Sequence, residues 1–214
     1  MIPAYSHIYL NKVARAVGNM LHNAVLEFGF DGAGFLSQFI QSDIAEQLEN
    51  GNPKYAAGKS GQELFLDVIE RIYGSESADR FMKNTPIRSY DRSDVYWVGW
   101  MLAHYQWYSG RSFRDILEVV PYDELLGLYS TLHEADIQKS YEVMDAHFER
   151  QESKLKQVRK RCNLTQEELS EFSGVSLNTI RAYERKAKDI SKAQTDIVLR
   201  LAAALKCDIK DLIE

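Results

Sequence analysis

LTQEELSEFSGVSLNTIRAYE, residues 164–184, carries the densest local signals in the chain. Thr165 is placed to cap a helix, and Glu168 follows three residues later, the spacing of a capping box. Leu169 and Phe172 are expected on the inner face of that helix. Gly174 then takes the turn, where a left-handed backbone angle is cheap only for glycine. Val175 plugs the core, and Ser176 caps a second helix running from Leu177 to about Arg185. Ile180 and Tyr183 anchor that helix inward by their spacing, which leaves Leu177, Asn178, Arg181 and Ala182 facing out.

Two short helices joined in this way have the grammar of a helix-turn-helix. The stretch from Leu155-Lys156-Gln157-Val158-Arg159-Lys160 through to Ile209-Lys210-Asp211-Leu212-Ile213 resembles the Cro/C1-type domain of phage repressors and XRE regulators. Leu201-Ala202-Ala203-Ala204-Leu205 is similar to the family's fourth helix, and Asp208 is placed to cap a short fifth. The resemblance implies a five-helix, lambda-repressor-like domain that binds double-stranded DNA. It implies that helix 177–185 enters the major groove, with Leu177, Asn178 and Arg181 nearest base edges. Asparagine pairs with adenine, arginine with guanine, and a leucine meets a thymine methyl. Gln166, at the start of the preceding helix, is implied as a phosphate contact. Ser176, Thr179, Arg185, Lys186 and Lys188 complete the expected DNA-binding set, and Lys192 adds a further backbone cation. Arg159 and Glu184 match positions that form a structural ion pair in phage repressors. Two features depart from the family pattern: Lys186 stands where a glycine commonly follows the recognition helix, and the loop 187–192 is longer and lacks its usual proline.

Charge supports a division of labour. The chain has a formal net charge of −5, but residues 153–214 hold 13 Lys/Arg against 9 Asp/Glu, whereas residues 1–152 hold 13 against 22. A basic end on an acidic body points any polyanion to the C-terminus. Hydrophobic residues make up 45% of the 214 and prolines number only four, which favours long helices around a real core. Cys162 and Cys207 lack metal or redox spacing. No apolar run approaches a membrane span, and the start has no secretory pattern, so the expected setting is cytoplasmic.

The rest of the chain reads as helix. Residues 6–28 form one apolar-striped helix, 35–48 a second, and 62–73 a third. Residues 74–90, with Pro86, read as loop with at most a short helical turn. Residues 96–113, which include Trp97, Trp100 and Trp107, read as a buried helix ending at Gly110; such an aromatic cluster can be a ligand cage or a partner-binding face, but it reads first as core. Segments 112–120 and 121–129 follow as shorter helices. Ile137, Tyr141, Met144, Phe148, Leu155, Val158 and Cys162 then fall on an alternating four-three stripe, able to pair two chains or to pack on the N-terminal helices. The fold class is therefore all-α. Its expected parts are an acidic helical domain over 1–134, a connecting helix over 135–152, and the DNA-binding domain over 153–214.

Other chemistry is weak. Gly58-Lys59-Ser60 ends like a phosphate loop, but Pro53 stands where the first glycine is needed and no strand precedes it, so the segment reads as a connecting turn with Ser60 as a helix cap. His133-Glu134 starts a zinc-protease motif that Ile137 ends, and His7, His22, His104, His133 and His147 lack ligand spacing. Asp91 with Asp94 reads as a capping cluster. No enzyme activity, metal or cofactor is expected. AEQLENGNPKYAAGKSGQEL and YWVGWMLAHYQWYSGRSFRDI are similar to the N-terminal part of a group of bacterial regulators of uncharacterised activity. Two functions follow. One is a dimeric DNA-binding regulator, a repressor or autoregulator, whose N-terminal domain dimerises or senses a small-molecule effector or protein. The other is an antitoxin-like protein whose acidic domain sequesters a partner while the C-terminus autoregulates.

Overall fold

The computed structural model describes residues 5–83 and 93–213, and among them every regular element is helical. Pro86 and Asp91 lie outside the described residues. The chain divides into two compact units, residues 1–145 and 146–214.

The first unit begins with α1 (His7–His22), which runs on into a π-helical stretch, Asn23–Glu27. There follow α2 (Gly32–Gln41), α3 (Ile44–Glu49), the single turn α4 (Pro53–Ala56), α5 (Gly61–Tyr73), α6 (Ser75–Lys83), α7 (Asp94–Ser109), α8 (Phe113–Val119) and α9 (Tyr122–Leu132). Helix α10 (Ile137–Gln151) starts in this unit. Helix α7 is the central element, apolar on every side and buried from Val95 through Gln106 except at Tyr96 and Trp100. Its capping is orderly: the Ser93 hydroxyl accepts from the Tyr96 N–H, and Gly110 closes the helix at φ +64°. Helix α1 crosses it at glycines. A Cβ on Gly99 would sit 2.7 Å from the Val17 carbonyl oxygen and 2.9 Å from the Gly18 Cα, and one on Gly18 would strike Tyr96. The two backbones touch where no side chain intervenes.

Helix α10 is tied to α7 by polar contacts. The Tyr105 hydroxyl donates to Asp145 at 2.6 Å, and the His104 Nδ1 lies 3.2 Å from the Tyr141 hydroxyl. Tyr141 also stacks on Tyr108 at 4.1 Å. Burial, and behind it Asp145, pushes the Tyr105 phenol up. Burial, with His7 as a smaller cause, pulls the His104 imidazole down to about 4.

Several elements differ from their sequence reading. The apolar run 35–48 is two helices, because Asp43 takes a left-handed φ of +65° and the Ser42 hydroxyl turns back onto the Phe39 carbonyl. Residues 75–83 form a nine-residue helix. It carries no fully buried side chain, and so little apolar spacing for a reader to detect. The four-three stripe is divided between α10 and the next helix. Ser153 caps that new helix, while the Gln157 amide reaches back to the Glu149 and Glu152 carbonyls. Tyr141 and Met144 are buried, whereas Cys162 at the far end is exposed.

The phosphate-loop-like letters have packing roles. Lys59 pairs with Asp67 at 2.7 Å, and Ser60 forms a capping box with Glu63 at the start of α5. Gly58 lies against the Lys54 carbonyl, and a Cβ on Gly61 would fall 2.3 Å from the Asn19 Cβ.

The second unit contains α11 (Lys154–Arg161), α12 (Gln166–Ser173), α13 (Leu177–Glu184), a 3-10 turn (Ile190–Lys192), α14 (Thr195–Leu205) and a final 3-10 turn (Ile209–Asp211). Leu155, Leu169, Ile180, Leu201 and Leu212 are at its centre, each with no exposed surface. The expected short fifth helix is this last turn, where Asp211 accepts from the Asp208 N–H at 3.1 Å.

Two predictions follow. Gly99→Ala must push α1 from α7 and should cost roughly 2–3 kcal/mol. Gly127→Ala, in α9 with nothing within 4 Å of its added Cβ, should instead stabilise by about 0.5–1 kcal/mol. Paired urea unfolding curves, followed by the fluorescence of the three tryptophans on α7, measure both; a neutral Gly99→Ala refutes the close crossing. The second concerns acid. Folded His104 stays neutral down to about 4, whereas the unfolded imidazole takes its proton near the ordinary value of 6.5. The unfolded state therefore binds more protons in that window, and stability falls as pH drops through it. From pH 7 to 5 this group should remove about 2 kcal/mol, and His104→Leu should flatten the profile in the same assay.

Candidate nucleic-acid interface

Helix α13 is built from its ends. The Ser176 hydroxyl accepts from the Thr179 N–H and lies 2.8 Å from the Thr179 hydroxyl. The turn before it is fixed from three directions. Gly174 takes φ +63°, the Ser170 hydroxyl donates to the Val175 carbonyl at 2.7 Å, and Arg200 donates to the Gly174 carbonyl at 3.1 Å. Thr165 and Glu168 form the expected capping box on α12. The Thr165 N–H, and then its hydroxyl, hold the Glu168 carboxyl below its usual range.

A buried ion pair fixes α13 against the remainder. Arg159 donates from Nε and Nη2 to the two oxygens of Glu184, at 2.6 and 2.9 Å, and from Nη1 to the Leu164 carbonyl at 2.6 Å. The side chains are only 10% and 1% exposed. Gln166 Nε2 gives Glu184 a further hydrogen bond at 2.6 Å. The hydrogen bond to Glu184 raises the Arg159 guanidinium, against the opposing effect of burial. α11, α12 and α13 thus converge on one carboxylate.

The outward side chains are now in place. Asn178 is exposed, with no partner among the described residues. Leu177 is half-buried beside it, and Arg181 is exposed one turn on. Arg181 is held by Glu167 at 3.0 Å and, more loosely, by the Gln166 amide oxygen at 3.4 Å. Gln166 is therefore engaged at both ends of its amide, and the Thr179 hydroxyl by Ser176. Arg185 returns a hydrogen bond to the Arg181 carbonyl at 3.2 Å. Lys186 takes the left-handed angle a glycine would supply, φ +55°, and Lys188 follows on the exposed loop. The loop is anchored by buried Ile190, and Lys192 pairs with Asp189 at 3.3 Å.

One inward assignment fails. Phe172 is 63% exposed, and the inner face of α12 is Leu169 with Ser173, one full turn on, whose hydroxyl bonds the Leu169 carbonyl. Helical spacing of four picks Ser173, but its polarity masks it in a search for apolar residues. Arg200 and Glu167 were not singled out either. Contacts between separate helices leave no periodic trace, so no local signal marks them.

Residues 155–212 match the HTH_3 family model, described as helix-turn-helix. This segment is a helix-turn-helix of the XRE/Cro-C1 type. No curated protein and no solved structure matches the chain. The family match supports a DNA-binding regulator in general. No helix among the described residues is long and apolar enough to cross a membrane.

The ion pair yields a sharp expectation. Arg159→Met strands a buried carboxylate and should destabilise the second unit by about 3–5 kcal/mol, whereas Arg159→Met/Glu184→Leu should recover most of the loss. Amide exchange at Val158, Leu169 and Ile180 in the full chain reads this locally. Equal protection in the single and double variants would refute it.

Proposed function

We propose that the protein is a sequence-specific transcriptional regulator, a repressor or autoregulator, which binds double-stranded DNA as a homodimer in the cytoplasm. The observation that carries this reading is the outward face of α13. Leu177, the unpaired Asn178 and Arg181, in a solvent-exposed pair with Glu167, line one face of a helix held from behind by a buried, bidentate ion pair. A helix fixed in this way presents base-reading groups at set positions, and asparagine and arginine match adenine and guanine in the major groove. The start of α12 at Gln166, with Ser176 and Thr179, takes phosphate-side roles in this reading, and Arg185, Lys186 and Lys188 add the salt-dependent affinity. Pairing of two copies is part of the proposal because a single domain reads only a half-site. No catalytic role is assigned.

The acidic balance of residues 1–152 favours a second reading, in which that region sequesters a protein partner and DNA binding serves autoregulation. The two readings share the DNA step and differ in what the first unit holds.

The test is binding of the full chain to the DNA upstream of its own gene at low and moderate salt. Asn178→Ala and Arg181→Ala should each cost about 1–3 kcal/mol of specific affinity while leaving binding to unrelated DNA nearly unchanged. Wild-type binding should weaken steeply with salt. Equal affinity of wild type and both variants for the operator would overturn the assignment of α13. Co-purification of a stoichiometric partner that leaves DNA binding intact would favour the second reading.

A further inference from the structure

The first unit contains a cleft of about 420 Å³ between α1, α7, α9 and the start of α10. Its walls are aromatic. Trp97 meets the Tyr129 ring edge-on at 5.9 Å, and Tyr129 stacks with His133 at 4.5 Å and 24°. Trp100 is backed by the buried ring of His104 at 4.1 Å. These contacts hold the rings as ready platforms. Polar side chains complete the lining, among them Asn11, Arg15 and Ser140. Arg15 has no ion-pair or hydrogen-bond partner among the described residues, and Ser140, 2% exposed, has a hydroxyl without a side-chain partner among them.

We propose that this cleft is a binding site for a small planar aromatic carboxylate. The volume is that of a site for one compact organic molecule. Aromatic walls accept a flat apolar body by stacking and edge contact. The open guanidinium of Arg15 accepts a carboxylate through two parallel N–H···O bonds, and Ser140 adds a neutral hydrogen bond. Arg15 is the single arginine or lysine among the residues that line the cleft, which matches one carboxylate rather than a multiply charged phosphate. The site lies wholly within residues 1–145 and is independent of the DNA reading.

The three tryptophans make the test internal. Trp97 and Trp100 line the cleft; Trp107 does not, and its indole N–H is committed to the Tyr5 carbonyl at 3.0 Å. Full-length, ¹⁵N-labelled protein is titrated with indole-3-acetate and, separately, with neutral indole-3-acetamide, with Trp107→Phe assigning the third indole signal. The expected result is saturable movement of two indole signals while that of Trp107 stays still. Arg15→Gln should weaken indole-3-acetate about tenfold and leave indole-3-acetamide unchanged, since only the charged hydrogen bonds are lost. Arg15 is exposed, so this variant is expected to fold, and circular dichroism checks that. Absence of saturable movement at a few millimolar probe would overturn the site. Equal movement of all three signals, or a carboxylate affinity indifferent to Arg15→Gln, would overturn it as well.

Discussion

A carboxylate withdrawn from water must be met by donors, and Glu184 draws its donors from separate parts of the second unit. Arg159 comes from α11 and Gln166 from α12, while Glu184 itself is the last residue of α13. The requirement is strict because an unpaired buried charge costs several kilocalories per mole, whereas the intact pair need not contribute much net stability. The pair therefore acts more through geometry than through energy. Three short helices, each too brief to be stable alone, are held in one arrangement by a shared acceptor. The third guanidinium donor, Nη1, closes on the Leu164 carbonyl and so places the start of the next helix as well.

The first unit obeys a different constraint. Its two longest described helices, α1 and α7, meet backbone to backbone at Gly18 and Gly99, and α5 starts against α1 at Gly61. Close approach leaves α7 surrounded, which is why its residues are apolar on all sides rather than along one stripe. The letters that imitate the end of a phosphate loop also answer to packing. Gly58 lies against the Lys54 carbonyl, Lys59 pairs with Asp67 and Ser60 caps α5, while the next residue, Gly61, is there for proximity to Asn19. A fragment of a motif and a packing solution used the same residues.

What was legible in the sequence follows from the range of each interaction. Caps and turns act within four residues, so Thr165, Glu168, Gly174 and Ser176 were readable, as was the all-helical class from apolar spacing. The ion pair spans 25 residues and was reached through family resemblance, not through spacing. The break between α2 and α3 was missed because Asp43 adopts a left-handed angle that aspartate only occasionally takes. α6 was missed because it buries nothing fully. Phe172 was misplaced because an apolar residue near an inward position outranks a small polar one that packs better. The aromatic run of α7 was legible as a cage or a core, but the cleft also needs Tyr129 from α9, and that grouping exists only after folding.

The polar face of α13 poses the question of how its groups are shared between protein and ligand. Arg181 is 44% exposed and its partner Glu167 is 63% exposed. A pair this wet is worth at most about 1 kcal/mol, so it directs the guanidinium without trapping it. On the proposed reading, a guanine or phosphate displaces Glu167 at little cost. Gln166 is different. Its amide is tied to the buried Glu184, so phosphate contact at the start of α12 would have to run mainly through backbone N–H groups, with the side chain kept for the internal network. The division assigns Arg181 to exchange and Gln166 to architecture, although both stand on the same surface.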